Sequence, residues 1–146
     1  MRRKRRIFGF KLKKWSKLPH FSFVGASMRA FVVPRDSGAL SVYHIALASR
    51  GSIAPAYHKK AVELIWVIKG SGIAQMGRRS IRIRSGDSLI IQPPTPHGFV
   101  AGRAGMIFLA ALSPRVDSRT DYYSCSGHQH PHPRSFSGRP ATGGVR

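Results

Sequence analysis

Residues 57–70, YHKKAVELIWVIKG, contain the only glutamate among the 146 residues of the chain. Glu63 stands in a run of β-branched, aromatic and other apolar residues, a composition that favours a β-strand. In a pleated strand Glu63 would share one face with Ile65 and Val67, and Trp66 would lie on the opposite face. A carboxylate on an apolar face is costly to desolvate unless it is paired or bound to a metal. We therefore expect a compensating partner for Glu63.

Short apolar segments separated by Gly, Pro and Ser flank this stretch on both sides, and no long run has helical periodicity. This pattern predicts an all-β fold. Gly77 and Arg78 predict a hairpin turn, after which Ile81 and Ile83 share one strand face. We expect residues 70–72 to break the strand before that hairpin and residues 100–103 to close a loop. About eight short strands with turns at this spacing predict a small barrel or jelly roll.

The charge of the chain is large and unevenly distributed. Twenty-five Lys and Arg residues stand against five acidic residues, for a formal net charge of +20. Nine of the basic residues lie within residues 1–17, which contain no acid. Such a block attracts polyanions, so we expect non-specific binding of nucleic acid or an anionic surface through residues 1–17.

The composition also predicts the domain organisation. The length suits a single domain, and the C-terminal sequence is rich in Ser, Gly and Pro without periodicity. We predict a flexible basic N-terminal extension at residues 1–27, a barrel at residues 28–117 and a disordered low-complexity tail at residues 118–146.

Two observations bear on the cellular location. No apolar run reaches the roughly 18 residues needed to span a bilayer, so we predict no transmembrane segment. Cys125 is the only cysteine, which excludes an internal disulfide and fits a reducing compartment. We predict a bacterial, cytoplasmic protein.

The spacing of the polar residues resembles the two motifs of the cupin family. His58, Glu63 and Gly70 fall on the second His, the Glu and the Gly of the first motif, and Gly86 and His97 fall on the Gly and His of the second. The resemblance covers roughly residues 40–113. It implies a double-stranded β-helix, the cupin jelly-roll barrel, whose motif side chains point inward.

The chain departs from these motifs at several positions. Ala56 stands where the first motif has its first His. The other changed motif positions are Arg50, Gln92, Pro94 and Ala101. The chain thus keeps three of the four side chains that typically bind metal in the family.

The resemblance implies a divalent-metal site formed by His58, Glu63 and His97. Two histidines and one carboxylate suit Fe(II), and the same set could hold Mn, Zn or Ni. His44, predicted in a strand, could replace the missing fourth ligand from a neighbouring strand. A pocket without metal is an equally open alternative, in which Glu63 bonds a histidine or a hydroxyl group of a ligand.

For function, the resemblance implies a small-molecule pocket inside the barrel and a metal-dependent oxygenase or isomerase. Tyr57, Gln92 and Thr95 are the expected ligand-binding residues, whereas no catalytic residue is assigned. The alternative is a sensor of a sugar or other small ligand, since residues 63–72 and 95–99 resemble the cupin domain of arabinose-operon-type regulators. The resemblance also implies a homodimer.

Overall fold

Nine strands and one short 3-10 turn (Trp15–Lys17) make up the regular structure of residues 9–126, the part of the chain that the computed structural model describes. The strands are β1 (His20–Phe23), β2 (Ala26–Val32), β3 (Ser41–Leu47), β4 (Ser52–Tyr57), β5 (Val62–Met76), β6 (Arg79–Arg84), β7 (Ser88–Ile91), β8 (His97–Ser113) and β9 (Tyr123–Ser124). They form one antiparallel sheet that curls into a jelly-roll barrel. The predicted fold class is confirmed.

Two long strands, β5 and β8, organise the barrel. They run antiparallel beside each other from the pair Val62 and Ser113 to the pair Met76 and His97. β3 pairs with the C-terminal half of β8 and β4 with its N-terminal half. β7 and β6 pair with the two halves of β5. Each long strand therefore belongs to both walls of the barrel.

Glycines allow these long strands to bend, and two predictions from the sequence are wrong for that reason. Residues 70–72 do not end the strand, and residues 100–103 do not form a loop, because β5 and β8 continue through them with a shift in register. Gly70 has a φ of +78°, and a Cβ at this position would lie 2.1 Å from the carbonyl oxygen of Gly105. A glycine permits both the backbone conformation and the close approach of the strands.

The two faces of β5 differ as the alternation predicted. Glu63, Ile65 and Val67 are buried, whereas Trp66 lies on the outer face and is 48% exposed. The predicted hairpin is also confirmed, since Met76 pairs with Arg79 across the turn. The core lies between the curled walls, with Phe108, Ile65, Met106 and Val67 as its largest fully buried side chains.

Both ends of the described chain add to the sheet. β1 lies within the predicted extension and pairs with β2, and the side chains of Lys11 and Lys13 reach the carboxylate of Asp36. β9 lies within the predicted tail and pairs with β4. The extension was expected to be flexible, yet residues 20–23 are part of the sheet. The domain boundaries stay a prediction, and residues 1–8 and 127–146 lie outside the described part.

Among residues 9–126, no helix has the length and apolar character needed to cross a membrane. The cytoplasmic location stays a prediction.

Candidate metal centre

Three buried polar side chains converge inside the barrel although they are far apart in the chain. His58 follows β4, Glu63 is near the start of β5, and His97 is the first residue of β8. The Oε2 atom of Glu63 lies 3.3 Å from Nε2 of His58 and 2.7 Å from Nε2 of His97. Each of the three residues is 6–7% exposed. The polar groups nearest to the Glu63 carboxylate are therefore these two imidazoles.

Backbone carbonyl groups determine which nitrogen of each imidazole carries hydrogen. Nδ1 of His58 lies 2.7 Å from the carbonyl oxygen of Asp121, and Nδ1 of His97 lies 2.9 Å from that of Thr95. A carbonyl oxygen only accepts, so each Nδ1 must donate its hydrogen. A neutral imidazole has one such hydrogen, and its Nε2 then presents a lone pair. Both Nε2 lone pairs are directed toward Glu63.

The result is a cluster of electron-pair donors without a hydrogen between them. Oε2 of Glu63 is buried and has no hydrogen-bond partner among residues 9–126. One donor atom from each of His58, Glu63 and His97 lies within 4.8 Å of the others. Ligand atoms that share a divalent ion stand about 3 Å apart, since each lies about 2.1 Å from the ion. The donor set and its spacing thus fit a divalent metal.

The electrostatics of the site favour added positive charge. Burial alone would lower the pKa of His58, but the carboxylate of Glu63 and the carbonyl of Asp121 raise it overall. Burial alone would raise the pKa of Glu63, but the two imidazoles beside it lower it overall. These interactions therefore favour an ionised Glu63 and a cation beside it, either a proton on an imidazole or a metal.

Asp121 holds the loop between His58 and Glu63 and was missed by the sequence analysis. Its two carboxylate oxygens accept hydrogen bonds from the backbone N–H groups of Lys59, Lys60 and Ala61, at 2.6, 3.0 and 2.8 Å. Residue 121 was assigned to the low-complexity tail. The signal that could have identified it is its type, since only five acidic residues occur in the whole chain.

Tyr122 is the second site residue that sequence reasoning missed. Its ring lies 6.3 Å from the ring of His58, between ring centres, and it packs against the core. Burial, followed by the charges of Cys125 and Glu63, raises the pKa of the Tyr122 phenol. The hydroxyl group therefore stays protonated at neutral pH and can donate a hydrogen bond.

Ala56, which stands where the first motif has its first histidine, lies next to the site. It is buried and lies directly opposite His97 in the pairing of β4 with β8. Cross-strand partners share a face of the sheet, so a side chain at position 56 extends toward the site. Only a methyl group is present there.

His44 does not join these three side chains, although it was expected as a possible fourth ligand. Among residues 9–126, the side chains that could together hold a metal ion are those of His58, Glu63 and His97. The ring of His44 instead packs edge-on against Trp15, with 4.8 Å between ring centres, and lies 6.3 Å from that of Phe31. Burial lowers the pKa of His44, as expected for a packed imidazole.

The three residues predicted to bind a ligand lie in different surroundings. The ring of Tyr57 stacks on that of Tyr123, with 5.3 Å between centres. Gln92 is exposed, and Thr95 is half-buried and contributes its carbonyl group to His97. A role in ligand binding stays a prediction for all three.

The walls next to the site are apolar. Ala56 and Met76 lie opposite His97 on the two neighbouring strands, and Ile91 and Leu112 lie opposite Glu63. Two surface depressions of about 510 and 600 Å³ are lined by other parts of the sheet. The first is lined by β1–β3, β5, β8 and adjoining turns, and the second by β5, β6, β8 and the turn at Asp87. Neither is lined by His58, Glu63 or His97, so we place the chemistry at the buried polar cluster.

Comparison with known proteins agrees with the fold. The family described as the cupin domain matches residues 43–110. Comparison with curated proteins finds no match. The chain belongs to the cupin superfamily.

Several solved structures share this fold at low sequence identity. An RmlC-like cupin from Shewanella frigidimarina is 14% identical over 77% of this chain and 97% of its own, with a TM-score of 0.64. The polyketide cyclase RemF from Streptomyces resistomycificus is 17% identical over 85% and 91%, with a TM-score of 0.69. The nucleoside dehydratase Pac13 of Streptomyces is 13% identical over 79% and 91%, with a TM-score of 0.66.

Proposed function

We propose that the chain is a metal-dependent cupin enzyme that holds a divalent ion with His58, Glu63 and His97. The observation that carries the proposal is the buried Oε2 of Glu63, which faces two imidazole lone pairs and has no hydrogen-bond partner in the described chain. Three donors in such an arrangement repel one another unless a cation lies between them.

The bound ion would supply Lewis acidity, polarising a carbonyl or hydroxyl oxygen of the substrate. Three protein ligands leave coordination positions open for that oxygen. Tyr122 is placed beside His58 and keeps its phenolic hydrogen, so it can donate a hydrogen bond to a ligand at the site. The carbonyl groups of Asp121 and Thr95 keep both imidazoles oriented toward Glu63.

The apolar walls favour a substrate with one or two oxygen donors on a largely apolar body. The strand neighbours of Glu63 and His97 are Ala56, Met76, Ile91 and Leu112, and none offers a hydrogen bond from its side chain. A sugar would leave several hydroxyl groups without partners there, at a cost in binding free energy. These contacts disfavour the sugar-sensor alternative.

Proton-transfer chemistry, such as isomerisation, dehydration or cyclisation, fits these groups best. A polyketide cyclase and a nucleoside dehydratase occur among the structures that share the fold. An oxygenase is the second candidate, since two histidines and one carboxylate also suit Fe(II). Consumption of dioxygen by the Fe(II)-loaded protein with an oxygen-bearing apolar substrate would select the oxygenase.

The proposal predicts that the purified chain binds about one divalent ion per chain and that Glu63→Gln abolishes most of this binding. The variant keeps the side-chain shape but removes the negative charge. We expect the affinity to fall by about 100-fold or more, since loss of even an outer-shell partner costs about 10–100-fold. Isothermal titration with Zn²⁺, Mn²⁺, Ni²⁺ and Fe²⁺ measures it.

Asp87→Asn is the matched control. The Asp87 carboxylate lies in an exposed turn and accepts a hydrogen bond from the backbone of Arg84 at 2.9 Å. This variant should bind metal as the wild type does. Equal affinity in the wild type and in Glu63→Gln would contradict the proposal.

A further inference from the structure

We propose that Asp121 is a positioning residue for the metal site and that the C-terminal strap, residues 121–125, is an integral part of that site. This inference rests on the proposed function, because it concerns the same site. It assigns a role to a segment that lies beyond the cupin motifs.

Asp121 is unusual in that it holds two parts of the site at once. Its backbone carbonyl accepts the hydrogen of His58 Nδ1, at 2.7 Å. Its carboxylate binds three successive N–H groups of the loop that joins His58 to Glu63. The imidazole and the backbone that carries it are therefore held by one residue from a distant part of the chain.

The backbone conformation of Asp121 supports this interpretation. Its φ is +58°, in the left-handed region that few non-glycine residues adopt and that Asp tolerates better than most. Burial alone would raise the pKa of Asp121, but the hydrogen bonds from the backbone of Ala61, Lys59 and Lys60 lower it overall. The residue is thus ionised and kept in a conformation that its own hydrogen bonds stabilise.

The strap is attached to β4 and the loop after it on the C-terminal side of Asp121. Tyr123 pairs with Tyr57 in the sheet, and the ammonium group of Lys59 lies over the Tyr123 ring at 4.3 Å. The backbone N–H of Cys125 donates to the carbonyl of Pro55, at 3.1 Å. These contacts align the strap with β4, so that the Asp121 carbonyl faces His58.

The consequence for the site is a single orientation and tautomer of His58. With its hydrogen held on Nδ1, the imidazole presents Nε2 to the metal position. Without the Asp121 carboxylate, the loop that follows His58 could shift away from the carbonyl of residue 121. The ring could then rotate and place its hydrogen on Nε2, which would donate to Glu63 and compete with a metal. Asp121 therefore biases the site toward metal binding.

The test uses three substitutions in the full chain. Asp121→Ala removes the carboxylate and keeps a Cβ, Asp121→Gly removes the carboxylate and also relieves the positive φ, and Asp121→Asn keeps one acceptor oxygen. Asp117→Asn is the matched control, since Asp117 lies four residues before Asp121 and its carboxylate binds Arg115 and the backbone of Arg119 instead of the site. Thermal unfolding verifies that each variant is folded.

Two readouts distinguish positioning from a general structural effect. Long-range ¹H–¹⁵N correlation spectra of the metal-free protein, recorded at a pH at which His58 is neutral, should show His58 with hydrogen on Nδ1 in the wild type and a mixture of tautomers in the Ala and Gly variants. Titration with Zn²⁺ should show affinity about 10–100-fold weaker in those two variants. Asp121→Asn should give intermediate values in both readouts. If the Ala and Gly variants do not fold, the tautomer and the Zn²⁺ affinity of Asp121→Asn test the inference.

An unchanged His58 tautomer together with unchanged Zn²⁺ affinity in the folded variants would overturn the inference while leaving the proposed function intact. Absence of Zn²⁺ binding by the wild type would contradict the proposed function instead. In that case the tautomer spectra still decide whether Asp121 positions His58.

Discussion

At the scale of single residues, the candidate site has two imidazoles and one carboxylate, but it lacks the fourth ligand that is typical of the family. Nε2 of His97 lies 2.7 Å from Oε2 of Glu63, and Nδ1 of His97 donates a hydrogen bond to the carbonyl group of Thr95. Ala56 occupies the position opposite His97 where the family typically has a histidine. Open coordination positions at a metal allow substrate oxygen to bind, so we interpret Ala56 as space for a substrate.

We predict that Ala56→His adds a fourth protein ligand and raises the affinity for Zn²⁺ by about tenfold or more. The physical reason is that the new imidazole would extend from the same face as His97. Isothermal titration beside Ala56→Leu, which adds similar bulk without a nitrogen donor, provides the comparison. Equal affinity in the two variants would show that position 56 does not reach the metal.

At the scale of elements, the bend of β5 brings its two halves into different walls. Gly70 and Gly105 face each other where β5 and β8 bend, and no side chain fits between them. Gly77, in the hairpin turn, also has a positive φ of +59°, but a Cβ there would meet nothing within 4 Å. Comparison of Gly70 with Gly77 therefore separates the free-energy cost of a positive φ from the cost of a steric clash with the neighbouring strand.

We predict that Gly70→Ala destabilises the fold by about 3 kcal/mol or more, because strain and a clash with backbone add together. Gly77→Ala should cost only about 1 kcal/mol, from the left-handed conformation alone. Urea unfolding of both variants measures the free energies of unfolding. Equal losses would mean that the strands can separate at Gly70 without cost.

At the scale of the whole molecule, an apolar surface covers part of the outside of the barrel. The outer stripe, defined as Val62, Leu64, Trp66, Ile68 and Ile90, is 38–63% exposed at each position. Leu64 and Ile90 are direct cross-strand partners. Exposed apolar surface of this kind marks contact with another molecule.

A second copy of the chain suits this stripe better than the undescribed ends of the chain do. Residues 1–8 and 127–146 are mostly basic, polar or small, with few large apolar side chains. The homodimer expected from the family resemblance would bury the stripe against itself around a two-fold axis. Binding of nucleic acid or an anionic surface through residues 1–17 likewise stays a prediction.

We predict that Trp66→Lys converts a dimer into a monomer, because a buried aromatic anchor contributes about 2 kcal/mol or more to association. Sedimentation or light scattering at micromolar concentrations measures the mass. Val24→Lys is the control, since Val24 is fully exposed at the tip of the β1–β2 hairpin, away from the stripe. A wild-type chain that is monomeric would contradict the prediction.

The local pattern of the sequence was sufficient for the fold class and for the direction of key side chains. The alternation of residue types correctly predicted that Glu63 and Ile65 point inward and Trp66 outward, because the side chains of a pleated strand repeat every two residues. It failed at residues 70–72, where a glycine-rich sequence normally ends a strand. Whether glycine breaks a strand or bends it depends on the strand beside it, which the local sequence does not specify.

What the sequence by itself determined is a cupin barrel with His58, Glu63 and His97 as candidate ligands. Only the tertiary structure decided how these residues meet. Glu63 lies opposite Leu112 in the ladder and His97 opposite Met76, so on a flat sheet they would be about 40 Å apart. Curling of the sheet brings Oε2 of Glu63 within 2.7 Å of His97 Nε2. The same closure brings Asp121 to His58, because contacts between distant segments depend on three-dimensional packing and leave no periodic trace in the chain.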